Sequence, residues 1–328
     1  MTEEKATTHF IHTDSIMMEG TVAIKLGGST TTVKDSLHCL NHENIEWMSQ
    51  QIAELYHKFH TKLIIVHGAG SFGHFEYAEV KNILQSEEFK NSEHNPKSEI
   101  IQRLQMKIAE TRFYVQQLNK EIVHRLILKK IPAMSVSPFD CGGFMNDSEA
   151  TKRIEGLVEM RYVPVIHGDL QFNTTERSFK VISGDTIMEE LSCLGLTTRS
   201  IFVTDVFGVY LNCPSKESQF NEISATRGLI KKIRLFSNNE STCTYELDMY
   251  ENSCTPSEIT TELRHQHDVT GGFEKKLSSA FAIARRGHQV YIVKAGTNNL
   301  ETAVLKKHVA CGNLSTFQFL GTEISSDV

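Results

Sequence analysis

The chain has 328 residues, 40% of them hydrophobic and 23% charged, with a formal net charge of −6. That balance describes an ordinary soluble globular protein, long enough for one large α/β domain or two small ones. It excludes a broad basic surface for nucleic acid, and no apolar run approaches the length of a membrane span.

Residues 1–19 are polar and slightly acidic, with neither a basic n-region nor an apolar h-region, so they read as a flexible tail and not a signal peptide. The first strand is "TVAIKL" (21–26), and it runs into Gly27, Gly28 and Ser29. A strand that ends in Gly-Gly lets the backbone approach a phosphate and aim N–H groups at it, with Lys25 and Lys34 bracketing the turn. It is not a Walker A loop, because G-x-x-x-x-G-K-[ST] is absent. Alone, the segment is equally a tight turn between two solvated lysines. Apolar residues at Ile45, Met48, Ile52, Leu55 and Phe59 then mark one face of a helix.

The next strand, "KLIIV" (62–66), leads into "HGAGSFGH". Gly68-x-Gly70-x-x-Gly73 has the spacing of a dinucleotide fingerprint, but its context fails. A dinucleotide site needs a second strand about 20 residues on, ending in an acid for the ribose. Here a polar stretch follows, of which 86–99 reads as an inserted loop or frayed turn. A long amphipathic helix comes next, marked by Ile101, Leu104, Ile108, Val115, Leu118, Ile122 and Leu126.

Further strands are expected at 131–136, 162–167, 179–183, 200–206 and 289–295. His167-Gly168-Asp169 closes one of them, as active-site lining or as a plain turn. After "FKVIS", Gly184 and Asp185 open a helix, with Thr186 and Glu189 spaced as a capping box. Asp185 there stabilises the N-terminus or holds lysine side chains. Cys193 on that helix reads as packing. Residues 212–268 are long and rich in Ser, Thr, Asn and Glu, and read as a second insertion with a short helix near Ile223 to Ile233. Within it, His265, His267 and Asp268 are weak metal-ligand candidates with no distant partner visible. Thr270, Gly271 and Gly272 precede a helix marked by Phe273, Leu277, Ala280, Phe281 and Ala284 and closed by Gly287. Lys275 and Lys276 in its first turn oppose the macrodipole unless an anion binds there.

Strands alternating with amphipathic helices predict a mostly parallel sheet covered on both faces. Such a sheet brings its glycine-rich turns to one edge, at the carboxyl ends of the strands. Three such turns with lysines nearby point to ATP-dependent phosphoryl transfer without a P-loop, since that chemistry needs positioning and charge neutralisation above all. No Ser/His/Asp order stands out, and "GAGSFG" is not a nucleophile elbow. The cysteines, seven and without a C-x-x-C pair, read as reduced thiols in a cytoplasmic protein.

The ordered segments "AIKLGGSTTTVKDS", "VHGAGSFGH", "VPVIHGD…KVISGDTI", "VTDVFGVY" and "DVTGGFEKK" resemble the amino acid kinase superfamily over roughly 21–322. The second, with its terminal histidine, resembles the isopentenyl phosphate kinases within it. The resemblance implies a three-layer αβα sandwich, a single domain over 20–328 and a homodimer. It implies transfer of the ATP γ-phosphoryl, with Mg²⁺, to isopentenyl phosphate. Carried over by residue, Lys25, Gly27, Gly28, Ser29 and Gly70 match ATP contacts, as do Asp205, Tyr210, Gly272 and Lys276. Lys34 matches the lysine that stabilises the transition state, and Asp185 the aspartate that orients the lysines. Ala69, Gly184 and His74 match substrate-phosphate contacts, His74 by a hydrogen bond. Phe207 stands where the family often has Asp, Phe273 where it has Met, and "LNCPSKES" replaces Asp-Pro-Lys, all on the nucleotide side.

A phosphomonoester acceptor has a second pKa near ~6, so no general base is needed at neutral pH. Its tail meets an apolar pocket lined from within 75–160. The rival readings are another acceptor on the same fold, such as fosfomycin, acetylglutamate or a nucleotide, and a nucleotide-binding regulatory module without turnover.

Overall fold

The computed structural model describes residues 20–33, 36–92, 98–139, 148–173, 178–211, 226, 228–239, 242–250, 272–309 and 319–326. Lys34, Gly271 and the His265/His267/Asp268 group lie outside them, as do the tail and most of 212–268.

Six strands run parallel: β1 (Thr21–Leu26), β2 (Lys62–His67), β3 (Ala133–Val136), β4 (Val163–His167), β7 (Arg199–Thr204) and β10 (Gln289–Lys294). Their spatial order is β3-β4-β2-β1-β7-β10, and β11 (Gly321–Ser326), β8 (Ile230–Asn239) and β9 (Thr242–Met249) extend the sheet beyond β10. β11 runs antiparallel to β10, and β8 and β9 form an antiparallel hairpin. From β1 the chain goes to β2 on one side and later to β7 on the other. The topological switch point therefore lies at the carboxyl end of β1, where open α/β sheets form their ligand crevice.

Alternation along the strands splits the core in two. Val22, Ile24 and Leu26 of β1 face one cluster, with α2 (His42–His57), α5 (Glu99–Leu128) and α9 (Asn299–Val309) packed on it. Ala23 faces the other, against α6 (Ser148–Glu159), α7 (Gly184–Cys193) and α8 (Gly272–Ala284). The result is the expected three-layer αβα sandwich. Local signals place the helix starts: Asn41 and Ser98 side chains accept the Asn44 and Ile101 backbone N–H groups and cap α2 and α5. Among the described residues no helix is long and apolar enough to cross a membrane.

Several sequence expectations change. Residues 87–92 form α4 (Glu87–Ser92), which brings Phe89 against Val80 and Ile83 of α3 (His74–Gln85) and against Ile100 and Leu104 of α5; one apolar side chain was enough to seat this polar stretch. Residues 230–233 are strand and not helix. Gly228, with φ of +73°, turns the chain, and Ile230, Ile233 and Leu235 enter the sheet core. Residues 169–173 and 178–182 pair as a separate hairpin, β5 (Asp169–Asn173) with β6 (Ser178–Ile182). The cap of α7 is Ser183, whose hydroxyl accepts the Thr186 N–H at 3.2 Å, so Thr186 and Glu189 form no capping box. Cys193 is exposed and does not pack. Gly195 ends α7 with φ of +70°, and the Leu196 N–H bonds back to Leu191.

Candidate active site

The carboxyl ends of β4, β2, β1 and β7 meet where the glycine turns converge. Gly27 N–H donates to Val203 O at 3.0 Å, and α1 (Gly28–Thr31) is the single helical turn that follows. A Cβ at Gly28 would lie 2.9 Å from Gly70 Cα, so the first two glycine loops touch backbone to backbone. Gly70 has φ of +52° and opens a 3₁₀ turn, Gly70–Phe72, before α3. A Cβ there would come within 2.5 Å of Thr32 Oγ1, the atom that accepts Ser71 N–H at 2.9 Å. Ala69 sits at the start of that turn, half-buried. The dinucleotide spacing is thus accommodated by a 3₁₀ turn, and α3, α4 and α5 follow in place of a second strand.

The cations flank this meeting point. Lys25 Nζ lies 2.7 Å from Asp185 Oδ1, with side-chain exposures of 7% and 11%. Gly184 makes room for the lysine stem, because a Cβ there would be 3.1 Å from Lys25 Cε. Lys276, in the first turn of α8 and 9% exposed, donates to Thr204 Oγ1 at 3.1 Å, and Thr204 donates to Asp205 Oδ1 at 3.0 Å. Asp205 itself is exposed. An ammonium held against a buried carboxylate, with a second one within the same crevice, is a binding surface for anions.

His74 is the first residue of α3 and its side chain is exposed toward this crevice, near Gly28. Surrounding protein, and next the Lys25 charge, hold its pKa below that of an ordinary histidine. An imidazole beside the two glycine loops can donate a hydrogen bond to an anion bound there. Tyr210, which the resemblance matches to a nucleotide contact, is buried in a small apolar cluster. Its ring is 2% exposed among Phe207, Leu229 and Leu320, and burial pushes its hydroxyl up to about 12.

Sequence reasoning singled out Asp169 as lining or turn without its partners, and missed the other supports. His67, fully buried, lies beside Gly68 O (Nδ1, 2.9 Å) and Asn119 Nδ2 (Nε2, 3.0 Å), and Asn119 also donates to Val165 O. Desolvation, with the neighbouring His167, lowers its pKa to about 3, so the ring is neutral. Arg112 Nε reaches both oxygens of Asp169 at 3.2 and 3.3 Å, and Ser137 also donates to that carboxylate. Asp169 therefore ties α5 and the 137–139 segment to the β5–β6 hairpin. His38 lies 2.7 Å from Glu76 and stacks on Tyr114, which fastens the 36–40 segment to α3 and α5. Nothing in the local sequence marks these pairs, which join residues 32 to 57 positions apart.

The model of the amino acid kinase family matches residues 20–294. The chain belongs to the amino acid kinase family. Among characterised members, it is 30% identical to the isopentenyl phosphate kinase of Methanothermobacter thermautotrophicus, over 88% of this chain and 96% of that one. It is 28% identical to the Arabidopsis thaliana isopentenyl phosphate kinase, over 86% and 89%. Among solved structures, one of isopentenyl phosphate kinase superposes with a TM-score of 0.65 at 26% identity, covering 93% of this chain and all of that one. The Thermoplasma acidophilum isopentenyl phosphate kinase product complex has a TM-score of 0.60 at 19% identity, which speaks to the fold of this family member. The chain is thus similar to isopentenyl phosphate kinases along nearly its whole length.

Among the described residues no group of three or more His, Cys, Asp or Glu side chains is arranged to hold a metal. Mg²⁺ keeps much of its water and binds readily through substrate phosphates. A Mg²⁺ ion carried in by a nucleotide would need no such cage of side chains.

Proposed function

We propose that this protein transfers the γ-phosphoryl group of Mg·ATP to isopentenyl phosphate, giving isopentenyl diphosphate and ADP. The observation that carries it is His74 beside Gly28 at a crevice made by touching glycine loops and the Lys25–Asp185 pair. A kinase acting on a hydroxyl needs a base to remove its proton. Here Asp185 is engaged with the Lys25 ammonium, and the lysines and His74 suit an acceptor that is already an anion.

An oxygen of the acceptor phosphate attacks the γ-phosphorus, the bond to the β–γ bridging oxygen breaks, and its electrons leave with ADP. Lys25, Lys276 and Lys34 lower the repulsion between the two anions, and Asp185 fixes Lys25. His74 donates to the acceptor phosphate, with Ala69 and Gly184 admitting it closely. Gly27, Gly28, Ser29, Gly70 and Gly272 line the ATP phosphates, and Asp205 lies on the nucleotide side. The family likeness supports a homodimer, and the composition with free Cys39 and Cys193 supports a cytoplasmic location.

The test is incubation with Mg·ATP and a panel of isoprenoid monophosphates, fosfomycin, acetylglutamate and nucleoside monophosphates, with product detection by mass. Isopentenyl phosphate is expected to give the highest kcat/KM. A higher value for any non-isoprenoid acceptor overturns the assignment.

A further inference from the structure

Two buried side chains that the reaction above does not use stand directly behind the Gly68–Gly70 loop. His67 closes β2 and faces α5, since Leu63 and Ile65 enter the core on that side. Asn119 of α5 meets it there. Their hydrogen atoms follow from their partners. Val165 O only accepts, so the Asn119 atom 3.2 Å from it is the amide nitrogen. The same nitrogen lies 3.0 Å from His67 Nε2, which therefore accepts its second hydrogen. Gly68 O also only accepts, so His67 Nδ1, 2.9 Å away, carries the ring proton. One neutral tautomer satisfies every contact, and Asn119 selects it. The consequence falls on the loop. The Gly68–Ala69 peptide is trans, so its carbonyl and its N–H point opposite ways. A Gly68 carbonyl tied to His67 thus turns the Ala69 N–H away from that ring and from α5. Lys25 and Gly184 stand on the opposite face of the sheet, with Gly184 against the Lys25 stem. The Ala69 N–H donates to no other described residue.

We propose that His67 and Asn119 are positioning residues for the acceptor site: Asn119 holds the His67 tautomer, His67 holds the Gly68 carbonyl, and the Ala69 N–H is thereby presented to the acceptor phosphate. This rests on the isopentenyl phosphate reading given above. Both side chains are buried, so they act through the loop and not on the substrate. A glycine-rich loop has few side chains to hold its peptide planes, and their orientation has to come from outside it. An N–H that is already aimed binds an anion without reorganising when the substrate arrives.

The experiment uses the full chain with Mg·ATP and isopentenyl phosphate. His67→Leu removes the ring donor, and His67→Asn places an amide N–H near the position of Nδ1. Asn119→Leu releases the tautomer and serves if His67→Leu does not fold. The leucine variant is expected to raise KM for isopentenyl phosphate about tenfold with KM for ATP and kcat little changed, and His67→Asn to recover most of that loss. Equal changes in KM for both substrates, or equal losses in His67→Leu and His67→Asn, overturn the inference and leave the kinase reading standing. A second measurement needs no variant. Nitrogen-15 spectra of the wild-type histidine rings are expected to show the His67 proton on Nδ1 and a bare Nε2. A ring protonated on Nε2 overturns the inference by itself. A wild-type protein that does not phosphorylate isopentenyl phosphate overturns both.

Discussion

Asp185→Asn removes the carboxylate that lies 2.7 Å from the Lys25 ammonium and leaves that charge nearly buried. At an effective dielectric near 20 the gross attraction at this distance is about 6 kcal/mol, much of it offset by the desolvation of both groups. Removing one partner of a buried pair costs about 3–5 kcal/mol, because the other is left uncompensated. For 328 residues the unfolding entropy is roughly 0.7 kcal/mol per degree, so Tm falls by about 4–7 °C. With the proposed role of Lys25 at the ATP phosphates, saturating ATP should supply counter-charge and narrow the gap between variant and wild type. The double variant Lys25→Met with Asp185→Leu should recover much of the stability while turnover stays lost. The assays are thermal melts with and without ATP, and ADP release. An Asp185→Asn protein that melts within about 1 °C of wild type would refute the reasoning.

His74→Ala should lower kcat/KM for isopentenyl phosphate by about 10- to 100-fold, the worth of a hydrogen bond to a charged group, with ATP affinity unchanged; steady-state kinetics against each substrate decide it. Gly70→Ala should cost about 1–3 kcal/mol, since φ of +52° and the Thr32 hydroxyl both oppose a side chain there, and an unshifted denaturation midpoint would contradict this. His67 binds its proton near pH 3 when folded and near 6.5 when unfolded. The unfolded state therefore holds more protons between those values, and stability is present above about pH 6.5 and lost as pH falls toward 3. Between pH 7 and pH 5 this one group removes about 2 kcal/mol. Urea unfolding of His67→Gln at both pH values should show a shallower acid loss, and an identical loss would remove His67 as its cause.

The architecture was legible because it rests on periodicity. Strand β1 reads as a β-branched run, α5 shows its apolar residues at helical spacing, and glycines mark the turns that must pack closely. Elements of weak pattern escaped. Residues 230–233 look amphipathic either way, and only pairing with β11 and β9 made them strand. α4 offers one apolar side chain, and its helix depends on the groove between α3 and α5 that receives Phe89. Ser183 took the capping position from Thr186 because β6 ends at Ile182, so the helix starts earlier than the spacing of Thr186 and Glu189 implied.

The same division holds in the crevice. The sequence by itself determined which backbone can approach a phosphate and which side chains carry charge, since Gly27, Gly28, Gly70, Lys25, Asp185 and Lys276 have those properties wherever they lie. Only the tertiary structure decided their partners. Lys25 meets Asp185 across 160 positions, and Lys276 meets Thr204 across 72. The lowered pKa values of His67 and His74 were also set there, because a pKa follows from burial and neighbouring charge, and neither is a property of the residue alone.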